Sequence, residues 1–501
     1  MHKGEVIVIG AGFAGIAAAT SLASQGFEVK VLEKNDSPGG RARKFEANGF
    51  TFDMGPSWYW MPDIFEDYFA KFDKKPEDYY QLKRLDPSYK VYFGKEDELS
   101  LPADPLALRA LFERLQPGSA VKLDTFLAQA KRKYEVGIKE WVYKPCHTIW
   151  EFAQPNIFND LIKLDLFQSM KKHVRQSFTE DKLVRIMEFP VLFLGQTADK
   201  IPAMYSLMNY ADMELGTWYP MGGMHEIIKG MVSLAEEKGV KFLYKADVSH
   251  FKITDRKVNA AYLKDGRVIP ADIVVAGADY HHVDAALLPP GYENYSESYW
   301  DKRTLAPSSL LFYLGVDAKI EGLEHHNLFF DEALEPHAHV IYEEAGWPEK
   351  PLFYVCCPSK TDPSVAPEGK ENLFILIPLA PGLEDSEARR EEYYQKVMSR
   401  LEKLTGQSIA DKVSYKRSYA HRDFIQDYNS YKGNAYGLAN TLGQTAMLKP
   451  KIRNKNLDNF YYTGQLTIPG PGVPPSLISG QVVAQEILRQ FQPASTEKST
   501  L

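Results

Sequence analysis

The residues in this chain best suited to chemistry are three glycines spaced as Gly10-Ala-Gly12-Phe13-Ala14-Gly15, with Glu33 standing 23 residues beyond Gly10. That pattern suits a dinucleotide. Gly10 permits a tight turn, Gly12 lets a pyrophosphate approach the backbone, and Gly15 lets the following helix pack closely on its strand. The helix then points its unsatisfied N–H groups and positive dipole end at the phosphates. Glu33 lies where a carboxylate accepts hydrogen bonds from ribose hydroxyls and repels a 2′-phosphate, which disfavours NADP. Just beyond, Ser37-Pro-Gly39-Gly40-Arg41-Ala-Arg43 sets two glycines and two guanidinium groups near the expected pyrophosphate, and the planar arginine fork matches phosphate geometry. A third patch runs from Gly464 and Gln465 through Gly470-Pro-Gly472-Val473-Pro474-Pro475-Ser476. Its rigid backbone with free N–H groups suits the N1–O2 edge of an isoalloxazine ring, which gains negative charge on reduction. NAD would not require this closing segment, so FAD is the expected cofactor.

These patches need a scaffold. Glu5–Ile9 reads as a buried strand, Ile16–Ser24 as an Ala-rich helix ended by Gly26, and Phe27–Leu32 as a second strand, together a βαβ unit. Near the other end, an aromatic strand from Phe460 leads through the Pro/Gly turn into a helix over Leu477–Arg489, opened by Pro474 and Pro475 and capped with help from Ser476. Between them, Gly216–Met224 leads into a helix over Glu226–Glu237 and a strand over Val240–Val248 that returns to the sheet. Val274–Asp279 supplies one more buried strand with its exit turn. The expected fold class is α/β: a Rossmann-like FAD-binding domain with an inserted mixed-sheet and helical domain that binds substrate and associates with membrane. The nucleotide domain is discontinuous, over 1-70, 216-300 and 415-492. The inserted region covers 71-215 and 301-414, and 493-501 is a frayed tail.

Composition narrows the function classes. With 59 basic and 66 acidic residues among 501, for a net charge of −7, the chain has no overall attraction for phosphate backbones, and no nucleic-acid partner is expected. Cys146, Cys356 and Cys357 cannot form a disulfide framework, and their spacing matches no zinc or iron–sulfur pattern. No metal is expected, and a reducing cytoplasm fits. The first strand and glycines occupy the place a signal peptide would need. No apolar run approaches the roughly 20 residues needed to span a bilayer, so membrane contact is expected to be peripheral. Pro155–Ser206 reads as short amphipathic helices with Lys163, Lys171, Lys172, His173, Arg175 and Lys182 beside apolar residues. Such helices could dock on a membrane surface or form an ordinary lid.

At this point the chain resembles the carotenoid desaturases of the bacterial phytoene desaturase type, within the flavin amine oxidase-like superfamily, over nearly its whole length. Gly39-Gly-Arg-Ala-Arg43 and Phe52-Asp-Met-Gly55-Pro56-Ser57 are similar to the superfamily at large. The narrower likeness rests on Tyr219–Met224, Pro307–Gly315, His325-His326-Asn327, Asp362–Gly369, Asp423–Gly437 and Gly464–Gly480. Trp58-Tyr-Trp-Met61 looks like the phytoene desaturase branch rather than the hydroxycarotenoid branch. Thr467-Ile-Pro-Gly470 stands where some relatives have Thr-His-Pro-Gly, so no role of that histidine transfers.

The resemblance implies FAD contacts at Gly10, Gly12, Phe13, Ala14, Gly15, Glu33, Lys34, Gly39, Gly40, Arg41, Gly55, Pro56, Ser57, Val248, Gly464, Gln465, Gly472, Val473 and Pro474. It implies a long apolar carotenoid substrate drawn from a membrane, and oxygen or a quinone as electron acceptor. The implied reaction removes a hydride and a proton from a CH2–CH2 unit flanked by double bonds, converting phytoene stepwise to lycopene. A later-pathway desaturase, a carotene isomerase, a non-catalytic lipid escort and an amine oxidase are the alternatives. A hydrocarbon offers no hydrogen-bonding handle, so its tunnel should be aromatic, aliphatic and Met-lined. Trp58, Tyr59, Trp60, Met61, Phe193, Tyr205, Met208 and Tyr210 are the candidates. Glu140, His147, His325 and His326 could accept the proton, and none is assigned.

Overall fold

The computed structural model describes residues 3–146 and 168–491. Glu5–Ile9, rich in β-branched residues, forms the central strand of a five-stranded parallel sheet. Across that sheet the order is Phe460–Tyr462, Ile273–Ala276, Glu5–Ile9, Glu28–Leu32, Lys241–Leu243. Segments from both chain ends and the middle therefore share one sheet. The helix Phe13–Ala23 connects the first two strands and is buried except at Ser21. A helix buried on nearly every side needs cover beyond the sheet, and the helix Val473–Phe491 supplies it.

Glycine sets how close these layers come. A methyl group at Gly15 would stand 2.0 Å from the Gly10 carbonyl oxygen, and one at Gly480 would stand 2.2 Å from that of Ala14. Both contacts are far inside van der Waals range, so helix, strand and covering helix are packed to backbone distance.

The second sheet is mixed. Its seven strands run in the order Val413–Tyr419, Ser308–Val316, Glu371–Leu379, Phe353–Cys356, His326–Phe329, Tyr89–Gly94, Asp97–Leu101. Only the His326–Phe329 and Tyr89–Gly94 pair is parallel. Ser308–Val316 is buried along its full length, as a central strand covered on both faces must be. The strand Val413–Tyr419 straddles the expected boundary at residue 415.

Several local expectations need correction. Val240–Val248 is not one strand: Lys241–Leu243 joins the parallel sheet, whereas Val248 starts an antiparallel three-stranded sheet with Lys257–Leu263 and Val268–Pro270. The C-terminal helix starts at Val473 rather than Leu477, and Ser476 lies inside its first turn with its N–H donating to the Gly472 carbonyl. Proline lacks only an N–H that a first turn leaves unused, so the helix can begin ahead of Pro474 and Pro475.

The helices Met170–Ser177 and Asp181–Glu188 turn Met170, Val174, Leu183, Ile186 and Met187 into the core. Phe178, which follows the first of them, packs against Phe112 and Phe126. The apolar residues of these two helices are packed into the core. Lys163 lies outside the described residues.

If backbone contact at Gly480 sets the spacing of the two helices, Gly480→Ala should destabilise the protein by about 1–3 kcal/mol through overpacking. Gly443→Ala, whose added methyl meets nothing within 4 Å, should stay within about 1 kcal/mol of the parent. Urea denaturation of both variants checks the contrast.

Candidate functional site

The parallel sheet and the mixed sheet enclose a cavity of about 490 Å³. That volume falls within the range of roughly 300–1,000 Å³ typical of small-molecule sites. Every residue proposed above for FAD contact, from Gly10 to Pro474, lies on its wall.

One end is built for a charged, hydroxylated ligand. The Ala11 N–H donates to Glu33 Oε2 at 2.8 Å and the Ala11 carbonyl accepts from the Gly39 N–H at 2.7 Å, clamping the two glycine loops together. Glu33 Oε1 accepts from the Asn35 N–H at 2.9 Å. Glu33 thus ties loops together as well as facing the cavity, a structural task its sequence position did not announce. A methyl group at Gly12 would meet nothing within 4 Å, and Gly39 and Gly40 both adopt positive φ. The bare backbone at Gly12 and the left-handed turn at Gly39 and Gly40, beside the N-terminus of Phe13–Ala23, suit a pyrophosphate.

Arg41 lines the cavity and Arg43 does not. Arg43 pairs with Asp427 at 2.5 Å. Arg41 donates through Nη2 to Ser430 Oγ at 3.1 Å and to the Asn434 carbonyl at 3.2 Å, while its buried Nε has no partner. Burial pulls the Arg41 pKa down, and the Asp279 carboxylate opposes this. An unpartnered guanidinium N–H in a glycine-rich cradle is the donor an anionic group would satisfy.

Asn434, buried, also accepts from Gln465 Nε2 at 3.2 Å. Ser479, on the C-terminal helix, accepts from the Gly464 N–H at 3.0 Å and contacts the hydroxyls of Thr463 and Thr467, each at 3.0 Å. Asp279, Asn434 and Ser479 hold the site together and were not singled out from sequence. Asn434 and Ser479 do fall within the family-like segments Asp423–Gly437 and Gly464–Gly480.

The other end is apolar. Trp58, Trp60, Met61 and Met208 line it as expected, joined by Phe189, Leu328, Phe330 and Tyr354. Tyr59, Tyr205 and Tyr210 do not. Tyr59 stacks on Phe65 and bonds Tyr80, Tyr205 meets Thr445, and Tyr210 packs on Tyr134. The side chains of Glu140 and Phe193, and all of His147, lie outside the described residues.

The carboxylates on the cavity wall are Glu33, Asp247, Asp279 and Asp427; among the described residues none belongs to the aromatic cluster around Trp58. His337 reaches the wall, but Nε2 meets the Pro378 carbonyl and Nδ1 accepts from the Leu352 N–H. Burial pushes its pKa down to about 4, so it is neutral and fully engaged.

His325 and His326 are off the main cavity. Burial pushes the His325 pKa down to about 3 and that of His326 well below its usual range. His326 stacks on Trp58 with ring centroids 4.0 Å apart, and its Nδ1 contacts the Tyr354 hydroxyl, which donates to Ser57 Oγ.

Residues 13–488 match the family described as flavin containing amine oxidoreductase. The chain is 41% identical to a carotenoid 3,4-desaturase of Haloarcula japonica, an alignment covering 97% of this chain and 98% of the relative. It is 31% identical to a zeta-carotene-forming phytoene desaturase of Myxococcus xanthus, over 97% and 94% respectively. A putrescine oxidase variant with redesigned cofactor binding shares the fold, with a TM-score of 0.62 at 13% identity over 98% of this chain and 99% of that one.

One buried carboxyl supports the aromatic wall. Trp60 Nε1 donates to Thr217 Oγ1 at 2.8 Å, Thr217 meets Asp212 Oδ1 at 3.3 Å, and the Tyr89 hydroxyl donates to Asp212 Oδ2 at 2.9 Å. Desolvation raises the Asp212 pKa from 3.8 to about 7, against the two hydrogen bonds that lower it. Between those values the folded protein holds a proton that the unfolded chain has released, so this group makes stability fall as pH rises through the window. Asp212→Asn should lack that component. Urea midpoints at pH 5 and pH 8 should therefore show the parent losing ground to the variant at the higher pH.

Proposed function

The chain belongs to the flavin containing amine oxidoreductase family, and on that premise we propose that it is an FAD-dependent carotenoid desaturase acting at a terminal CH2–CH2 unit of an extended polyene. FAD is its cofactor and the chain is an oxidoreductase. When bound, FAD supplies the two-electron acceptor that the side chains of a protein lack. The residues that would hold it are the glycine turns at Gly10–Gly15 and Gly39–Gly40, Glu33 toward the ribose, Arg41 toward the pyrophosphate, and Gly464–Gln465 with Gly472–Pro474 around the ring system.

The observation that supports a hydrocarbon substrate is the aromatic end of the cavity. Trp58, Trp60, Phe189 and Phe330 pack edge and face against one another, and Tyr354 presents its ring while its hydroxyl is engaged behind the wall. A flat polyene gains from such surfaces by burial and by exclusion of water. The protein's contribution is chiefly positioning, because oxidation of an apolar chain requires the reacting carbon to be held about 3–3.5 Å from the acceptor. Among the described residues the cavity opens no carboxylate onto this end.

The 3,4-position is the first reading because the 41% relative is named for it. Stepwise desaturation of phytoene to lycopene is the second; the Myxococcus relative, named as forming zeta-carotene, and the Trp58–Met61 run support phytoene as its substrate. On this reading electrons leave to oxygen or a quinone, and the substrate is delivered at a membrane surface. No helix among the described residues is long and apolar enough to cross a membrane.

Anaerobic incubation of the FAD-loaded protein with carotenoid in liposomes tests the proposal. Flavin bleaching with a red-shifted product from a hydroxylated, already conjugated carotene supports 3,4-desaturation. Bleaching with phytoene and new lycopene-like bands supports the second reading. Flavin that stays oxidised with both sinks the desaturase assignment. Glu33→Ala should weaken FAD retention by roughly 10- to 100-fold, the loss of a charge-assisted ribose bond, measured by equilibrium dialysis.

A further inference from the structure

Behind the wall formed by Gly55, Pro56 and Ser57 lies a second cavity of about 20 Å³, lined by Tyr219, His325 and Cys356 among others, with His326 outside its lining. It is large enough for one water or one ion. The strand His326–Phe329 pairs antiparallel with Phe353–Cys356, setting His326 directly opposite Cys356. One ring nitrogen from each of His325 and His326 and the Cys356 sulfur lie within 4.8 Å of one another, and all three residues are buried.

The hydrogen bonds around the two rings follow one pattern. His325 Nδ1 contacts Thr361 Oγ1 at 2.8 Å, and His326 Nδ1 contacts the Tyr354 hydroxyl at 2.6 Å. Tyr354 spends its own proton on Ser57 Oγ at 3.0 Å. With Tyr354 donating to Ser57, the His326 tautomer protonated at Nδ1 carries its lone pair on Nε2. In both rings Nε2 is buried without a hydrogen-bond partner. Imidazoles that ligate metals are held in this way, with one nitrogen oriented by an outer partner and the other free. Buried polar atoms are ordinarily satisfied, so two unpartnered ring nitrogens in a cluster that includes a thiol suit a Lewis acid.

We propose that His325, His326 and Cys356 form a trigonal binding site for a soft, thiophilic cation, monovalent copper. Thiolate and imidazole donors select soft metals. Structural zinc takes four ligands, and no fourth His, Cys, Asp or Glu joins this cluster among the described residues. Donors bound at about 2.0–2.3 Å in a trigonal plane stand about 3.5–4 Å apart, so the cluster needs to close by only about 1 Å. Binding exchanges the Cys356 proton for the cation: the S–H bond breaks, the proton leaves to solvent, a sulfur–metal bond forms, and no electron is transferred. The site backs onto the Gly55–Ser57 wall but takes no ligand from it, and it is independent of which carotenoid is used.

The test loads full-length, FAD-replete protein anaerobically with Cu+ and, separately, Zn2+, followed by desalting, metal analysis and X-ray absorption at the metal edge. One Cu+ retained per chain, with one sulfur and two nitrogen neighbours, is the expected result. Cys356→Ser and His326→Gln should each lose that retention, whereas Cys357→Ser and Cys146→Ser should keep it. No retained copper, retention unchanged in Cys356→Ser, or a coordination shell without sulfur overturns the site. Stoichiometric zinc with copper excluded overturns the monovalent assignment. Should Cys356→Ser fail to fold, the absorption spectrum of the parent protein still decides, because it reads the sulfur directly.

Discussion

The helix Phe13–Ala23 has almost no surface it can show to water, since all its residues but Ser21 are buried. One side rests on the parallel sheet, and the other must be covered by something that comes close enough to leave no void. The C-terminal helix does so because Gly480 lets it meet the Ala14 backbone, just as Gly15 lets the first helix meet the turn at Gly10. From these two contacts the remaining geometry follows. They bring residues 464–476 against the glycine cradle, and they place the two family-like ends of the chain on the walls of one cavity.

The dinucleotide end was largely legible in the sequence because its requirements are local. A turn that needs positive φ, a backbone that must lie bare, and a carboxylate at the end of the second strand all leave their mark within the first 40 residues. The Pro/Gly run near residue 470 is equally explicit. The supports were not legible. Asn434 reaches Arg41 and Gln465 from distant segments, and Ser479 acts only because its helix lies beside Gly464; neither relation has a spacing that could reveal it. The His326 and Cys356 juxtaposition arises from antiparallel pairing of strands some thirty residues apart, so no ligand motif advertises it. The Tyr59, Tyr205 and Tyr210 expectation failed for a related reason: composition can say that a tunnel is aromatic, but only packing decides which aromatic residues face it.

The apolar end shows how a polar network can orient a hydrophobic wall. Trp60 is fixed by its indole N–H through Thr217 to Asp212, and Tyr89 closes the same carboxyl from the other side. A buried network of this kind is costly if any member is lost. It gives the wall a fixed ring geometry that dispersion contacts among aromatic residues alone would leave free to repack.

The order of strands in the parallel sheet also bears on how the protein is made. Its first strand lies beside residues 273–276, and those in turn lie beside residues 460–462. During synthesis the glycine cradle at residues 10–15 emerges over four hundred residues ahead of residues 464–476, its opposite wall. Until then a nascent polypeptide carries half a nucleotide site and an uncovered apolar helix. A complete cradle therefore waits on docking of the helix Val473–Phe491, which closes the site and covers the first helix in one step.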